Sequence, residues 1–128
     1  MRTFLITLLV LILTGCAGSV QQMTAAQLET VSDWQLERAL KSVSTCNQLI
    51  IDEADHRGLY PSHELSLIKN RTVQVGMSER ALLTSWGKPK KINKSNGSHG
   101  VNKQYIYRDY SQTKYVYVEN GKVVSWQD

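Results

Sequence analysis

The spacing of apolar residues changes period near the middle of the chain. From Ser32 to Trp86 they return every three or four positions, and beyond Pro89 they alternate. The first spacing lines one side of a helix, whose side chains share a face about every 3.6 residues; the second lines one face of a strand.

Four helix starts carry capping chemistry. Ser32-Asp33-Trp34-Gln35 has the form of a capping box, in which the Ser oxygen covers an orphan N–H and the Gln side chain reaches back. The helix behind it is expected to run to about Val43, with Leu36, Leu40 and Val43 inward. Thr45-Cys46-Asn47-Gln48 reads as a second box, opening a helix with Leu49, Ile50 and Ala54 inward. Gly58 suits the left-handed position that ends it, and Pro61 prevents continuation. Ser62 caps a third helix through Lys69. Ser78 caps a fourth, through Trp86, with Met77 and Leu82 as its hydrophobic staple and Gly87 and Pro89 closing it.

Beyond Pro89, Gln104 to Arg108, Lys114 to Glu119 and Lys122 to Gln127 alternate and are rich in Tyr, Val and Trp. Residues 91–96 add a weaker strand. Asn120-Gly121 is a hairpin signal, because a type I′ turn needs positive φ at both centres. A two-residue turn then pairs Glu119 with Lys122, Val118 with Val123, Tyr117 with Val124 and Tyr115 with Trp126. Tyr115, Tyr117, Val124 and Trp126 fall on one face, and Val116, Val118 and Val123 on the other. Helices followed by strands predict an α+β fold, N-terminal helices packed on a small three- to four-stranded antiparallel sheet. So few helices leave part of the sheet bare. Exposed aromatic surface marks partner sites, which makes Tyr115, Tyr117 and Trp126 the candidate partner-binding residues.

The chain has 128 residues, room for one small domain. That size bears on the stretch Leu49 to Arg57, "LIIDEADHR", whose Asp52-Glu53-Ala54-Asp55 matches the acidic motif of a helicase ATPase. Such a motor needs a Gly-rich phosphate loop ending in Lys-Ser or Lys-Thr. Gly87-Lys88 is followed by Pro89, and no Gly stands five residues ahead of Gly87. The acids are therefore read as the wet face of an amphipathic helix, with Glu53 and Arg57 an i, i+4 pair.

The N-terminus carries a different signal. Arg2 precedes the apolar run Phe4 to Leu13, which is far short of the roughly 20 residues that span a bilayer but suits an export signal. Leu13-Thr14-Gly15-Cys16 follows, and this resembles the bacterial lipobox. The resemblance implies diacylglyceryl transfer to the Cys16 sulfur, cleavage before Cys16 and acylation of the new amino group, which together give stable anchoring. Ala17 in place of Asp implies sorting to the outer membrane, at its periplasmic face. The expected organisation is a signal peptide over 1–15, a tether over 16–23, a helical hairpin segment over 24–71 and an α+β domain over 72–128. With Cys16 at the anchor, Cys46 has no disulfide partner and is expected at a helix interface.

Charge is uneven. Residues 24–71 hold seven acids and five bases, a balance of −2; residues 88–128 hold eight bases and three acids, a balance of +5. On a membrane-tethered chain a basic half suits anionic headgroups or an acidic partner, not nucleic acid. His56, His63 and His99 have no metal-binding spacing, and there is no G-x-S-x-G elbow. The expectation is a protein that is not an enzyme, with no catalytic residues, no cofactor and no metal.

"VQVGMSERALLTSWGKP", then "QYIYRDY" and "YVYVENGKVVSWQ", resembles the SmpA/OmlA (BamE-like) family of outer-membrane lipoproteins over about residues 73–127. Val75, Gly76, Met77 and Ser78 match its opening turn, Gly87 and Pro89 the helix exit, Tyr105 and Tyr107 an aromatic strand, and Tyr117, Val118, Gly121 and Val123 the closing hairpin. The resemblance implies a two-layer unit of helices on a sheet, shared with beta-lactamase inhibitor proteins. It also implies a non-catalytic scaffold that binds outer-membrane assembly components and contacts lipid. Residues 24–71 depart from the family pattern. The same sheet also suits an inhibitor or ligand-binding lipoprotein.

Overall fold

The computed structural model describes residues 20–42 and 46–128. A 3-10 turn over Val20–Gln22 leads into α1 (Ala25–Leu28), α2 (Asp33–Lys41), α3 (Gln48–His56), α4 (Ser62–Lys69) and α5 (Glu79–Trp86). Four strands follow: β1 (Lys91–Gly97), β2 (Gly100–Arg108), β3 (Thr113–Glu119) and β4 (Lys122–Gln127). They form one antiparallel sheet in sequence order. The fold is α+β, with the helices N-terminal to the sheet.

The caps explain the helix starts. Ser32 and Gln35 form the expected box, and Ser78 Oγ accepts from Ala81 N–H at 3.1 Å. The second box is displaced: α3 is capped by Asn47, whose Oδ1 accepts from Ile50 N–H at 3.1 Å. Thr45 and Val43 lie outside the described residues. The buried side of this helix is Ile50, Ile51 and Ala54, while Leu49, expected inward, is exposed. Thr24 and Gln27 form a further capping box at α1, a start the apolar spacing does not announce.

The acidic stretch works as structure. Arg57 donates to Glu53 at 2.6 Å, to Asp33 at 2.9 Å, and to the carbonyls of Val31 at 2.6 Å and Leu28 at 2.7 Å. One guanidinium thus clamps α3 to the α1–α2 connection. Asp52 accepts from Gln48 and Asp55 from Ser62. Among the described residues no group of three His, Cys, Asp or Glu side chains is placed to hold a metal.

One hydrophobic cluster runs through both halves: Leu36, Leu40, Ile50, Leu65, Ile68 and Leu82 from the helices meet Tyr105, Val116, Val118 and Val123 from the sheet. α5 joins them. It packs on α2 and α4 behind and on β4 in front. Gly76 N–H donates to the Val123 carbonyl at 2.7 Å, Val123 N–H to Met77 at 2.8 Å, and Glu79 N–H to Gly121 at 2.9 Å, so the entry to α5 borders the start of β4. Behind this seam Glu64 is 2% exposed, and its carboxylate accepts from Ser78 N–H at 2.7 Å and Ser78 Oγ–H at 2.9 Å.

The hairpin register holds at Glu119–Lys122 and Val118–Val123, then slips. A bulge between Tyr117 and Val118 pairs Tyr117 with Ser125, Val116 with Trp126 and Tyr115 with Gln127. A one-residue slip moves every later side chain to the other face. Trp126 therefore lies on the helix side, against Trp86, and does not share a face with Tyr115 and Tyr117 as the two-residue turn alone predicts.

The turn itself has the expected form, with φ 48° at Asn120 and 78° at Gly121. Asn120 also accepts from Val101 N–H at 3.2 Å and donates to the His99 carbonyl at 3.0 Å, pinning this hairpin to the β1–β2 turn. Asn120→Ala forfeits both bonds and puts a residue averse to positive φ at the turn, so a loss of about 1–2 kcal/mol is expected in urea unfolding. Asn120→Gly keeps the torsion, and the difference between the two variants isolates it.

Candidate ligand groove at the exit of the last helix

The three predicted partner-binding side chains occupy two places. Tyr115 and Tyr117 stand half-buried on the open face of the sheet. Register sets them beside Ile106 and Gln104, with Lys91 and Asn93 beyond. Tyr117 hydroxyl accepts from Gln104 and from Gln127, each at 3.2 Å. This face is mainly polar, an amide and hydroxyl surface with two phenol rings, not the aromatic patch the alternation implied. The third, Trp126, belongs to the other face. Cys16 lies outside the described residues.

The helix side carries a second feature that apolar spacing alone misses. Where α5 ends, Gly87 turns the chain at φ 78° and ψ −159°. That region suits glycine, although a Cβ there meets no atom within 4 Å. The turn sends Lys88, Pro89 and Lys90 along the rim of an open groove of about 840 Å³, closed on the far side by the β2–β3 turn.

Trp86 is its centre. The indole N–H donates to the Arg71 carbonyl at 2.9 Å. Its ring makes edge contacts with Tyr107 at 5.4 Å and Trp126 at 6.2 Å, and Lys114 Nζ lies 5.2 Å from its centroid, a cation–π distance. Tyr107 donates to the Gly87 carbonyl at 3.1 Å. Burial pushes that phenol well above its ordinary range, so it stays a donor. Trp86 is thus partly core, as helical spacing predicts, and partly groove wall. Trp34 is 62% exposed on α2.

The groove is basic. Arg71, Lys88, Lys90, Arg108 and Lys114 line it, against Asp109 alone among the acids. Asp109 is engaged by its own turn, accepting from Ser111 N–H at 2.9 Å and Gln112 N–H at 2.8 Å; the first of these is the main cause holding its carboxyl below the ordinary range. Arg71 sits at φ 53°, and its Nη1 donates to the Thr84 carbonyl at 3.0 Å, at the end of α5. Its Nη2 is shielded from solvent and has no hydrogen-bond partner among the described residues. The "GKPKK" run, Gly87 to Lys91, signals cationic density in the sequence. The convergence of Arg71 and Lys114 on that run comes from tertiary packing.

Cys46 is half-buried against the core, where burial raises its thiol pKa while Arg71 and Lys69 pull it down. No described helix is long and apolar enough to cross a membrane. Comparison of the chain with protein-family models, with curated proteins and with solved structures gives no match.

Proposed function

We infer that the chain is a lipid-anchored envelope lipoprotein of the SmpA/OmlA (BamE-like) kind, held at the periplasmic face of the outer membrane through Cys16. It acts as a non-catalytic binding or scaffold module for an envelope protein in outer-membrane protein assembly or envelope integrity. The observation that carries this is the order of Arg2, the apolar run Phe4 to Leu13 and Leu13-Thr14-Gly15-Cys16. Charge followed by a short apolar core suits export, and small residues before a thiol suit lipidation. The two layers of the fold agree with the shape the resemblance implies. Tyr115 and Tyr117 offer a partner surface on the open face, while Trp126 lies on the helix face against Trp86.

Labelling with a radioactive fatty acid is expected to mark the chain and place it in the outer-membrane fraction, with both lost in Cys16→Ala. An unlabelled wild-type chain removes the anchor. The scaffold role is read separately, by mild-detergent purification and mass spectrometry. Enrichment of a barrel-assembly protein with its lipoprotein companions supports it. Enrichment of one soluble envelope enzyme favours the second reading, an inhibitor or ligand-binding lipoprotein. The observation behind that reading is the formed groove beside Trp86.

A further inference from the structure

The geometry points to the groove between the exit of α5 and the β2–β3 turn as a binding site for a phosphate-bearing anion, with Arg71 at its base. Three observations converge. First, the charge is concentrated and unbalanced: five cationic side chains line one concavity, and the carboxylate among them already accepts the N–H groups of its own turn. Like charges brought together repel, and a bound anion removes that repulsion.

Second, Arg71 is held for the task and incompletely used. Its Nη1 is fixed on the Thr84 carbonyl, while its shielded Nη2 lacks an acceptor among the described residues. Buried donors in folded proteins nearly always have partners, and a guanidinium is shaped for the paired oxygens of a phosphate. Third, the base of the site is cross-linked. Arg71 carbonyl, Trp86, Tyr107 and the Gly87 carbonyl are joined by two hydrogen bonds and a ring contact, so the cations sit on an ordered wall.

The balance of charge selects the ligand class. A carboxylate brings one negative charge, whereas a phosphate monoester or diphosphate brings two or more, with oxygens in several directions. That matches cations spread along both rims, Lys88 and Lys90 on one and Arg108 and Lys114 on the other. The phosphate has two sources, a free polyphosphate or the headgroup of a lipid, and the site chemistry is the same for both.

The test is calorimetric titration of the full chain, in low salt, with inorganic pyrophosphate and separately with dihexanoyl phosphatidic acid below its micellar concentration. Saturable binding of one copy is expected, weakened by added salt. The double variant Lys88→Gln/Lys90→Gln, exposed at both positions, should weaken it about tenfold with unchanged unfolding. Lys94→Gln/Lys122→Gln, outside the groove, should leave it unchanged. Arg71→Lys keeps a charge but loses the fork, and should weaken binding further. Tighter binding of the lipid identifies a headgroup, and tighter binding of pyrophosphate a free polyphosphate. Absence of saturable binding by both probes overturns the proposal. So does equal weakening by the two lysine pairs, which would show attraction by net charge alone.

Discussion

Tyr105→Ala is expected to lower the unfolding free energy by about 3–5 kcal/mol, the range for emptying a buried aromatic site. Small domains have only about 5–15 kcal/mol in total, so the variant should be partly unfolded near physiological temperature. The ring is 1% exposed and lies on the helix side of β2, opposite Val116. Its hydroxyl donates to Glu79 in the first turn of α5, which also pairs with Lys103 at 2.6 Å. Removing the side chain therefore opens a cavity between the layers and cuts a tie between β2 and α5. Tyr105→Phe separates the two contributions: it keeps the ring and should lose about 1 kcal/mol, the value of an ordinary hydrogen bond. Tyr117→Ala, on the open face, should lose less than about 1 kcal/mol, as surface changes usually do. Urea unfolding of the three variants measures all of this. Equal losses at Tyr105 and Tyr117 would contradict the assigned faces.

The second large effect is expected at Glu64. Its carboxylate is buried and takes both the N–H and the hydroxyl of Ser78, the residue that caps α5. Negative charge beside a helix start is favourable, and hydrogen bonds to a charged group are stronger than neutral ones. Glu64→Ala leaves the Ser78 N–H without its acceptor in a closed site, and a loss of about 2–3 kcal/mol is expected. Glu64→Gln retains one carbonyl acceptor and should fall between Glu64→Ala and wild type. A wild-type melting curve for Glu64→Ala would mean that the cap on α5 is set by Ser78 alone.

Much of this architecture is legible in local chemistry. Ser32, Ser78 and Asn120-Gly121 act through neighbours within a few positions, and each does what its spacing predicts. The departures lie where packing or register, not a neighbouring residue, decides. At the start of α3 the cap is Asn47 and not Thr45, and the packing of the helix, which no cap fixes, leaves Leu49 exposed and Ile51 buried. The bulge beside Tyr117 has no turn residue to announce it, yet it carries Trp126 to the other face. A face shared by Tyr115, Tyr117 and Trp126 requires an unbroken alternation, and it divides where the alternation fails. The groove was legible only as a basic run. Arg71 comes from the helical half, Lys114 from β3 and Trp86 from α5, and their meeting depends on how α5 lies across the sheet.

The seam between the entry to α5 and β4 has a further consequence, for self-association. Exposed strand edges offer unpaired backbone groups to other chains. The start of β4 is occupied by residues 76–79, and the bulge interrupts the rest of that strand. β1, fully exposed and paired only with β2, is the uninterrupted free edge among the described residues, and it carries Lys91 and Lys94. Lysines on an exposed edge oppose pairing with another strand, so one side of the sheet is guarded by charge and the other by the seam and the bulge.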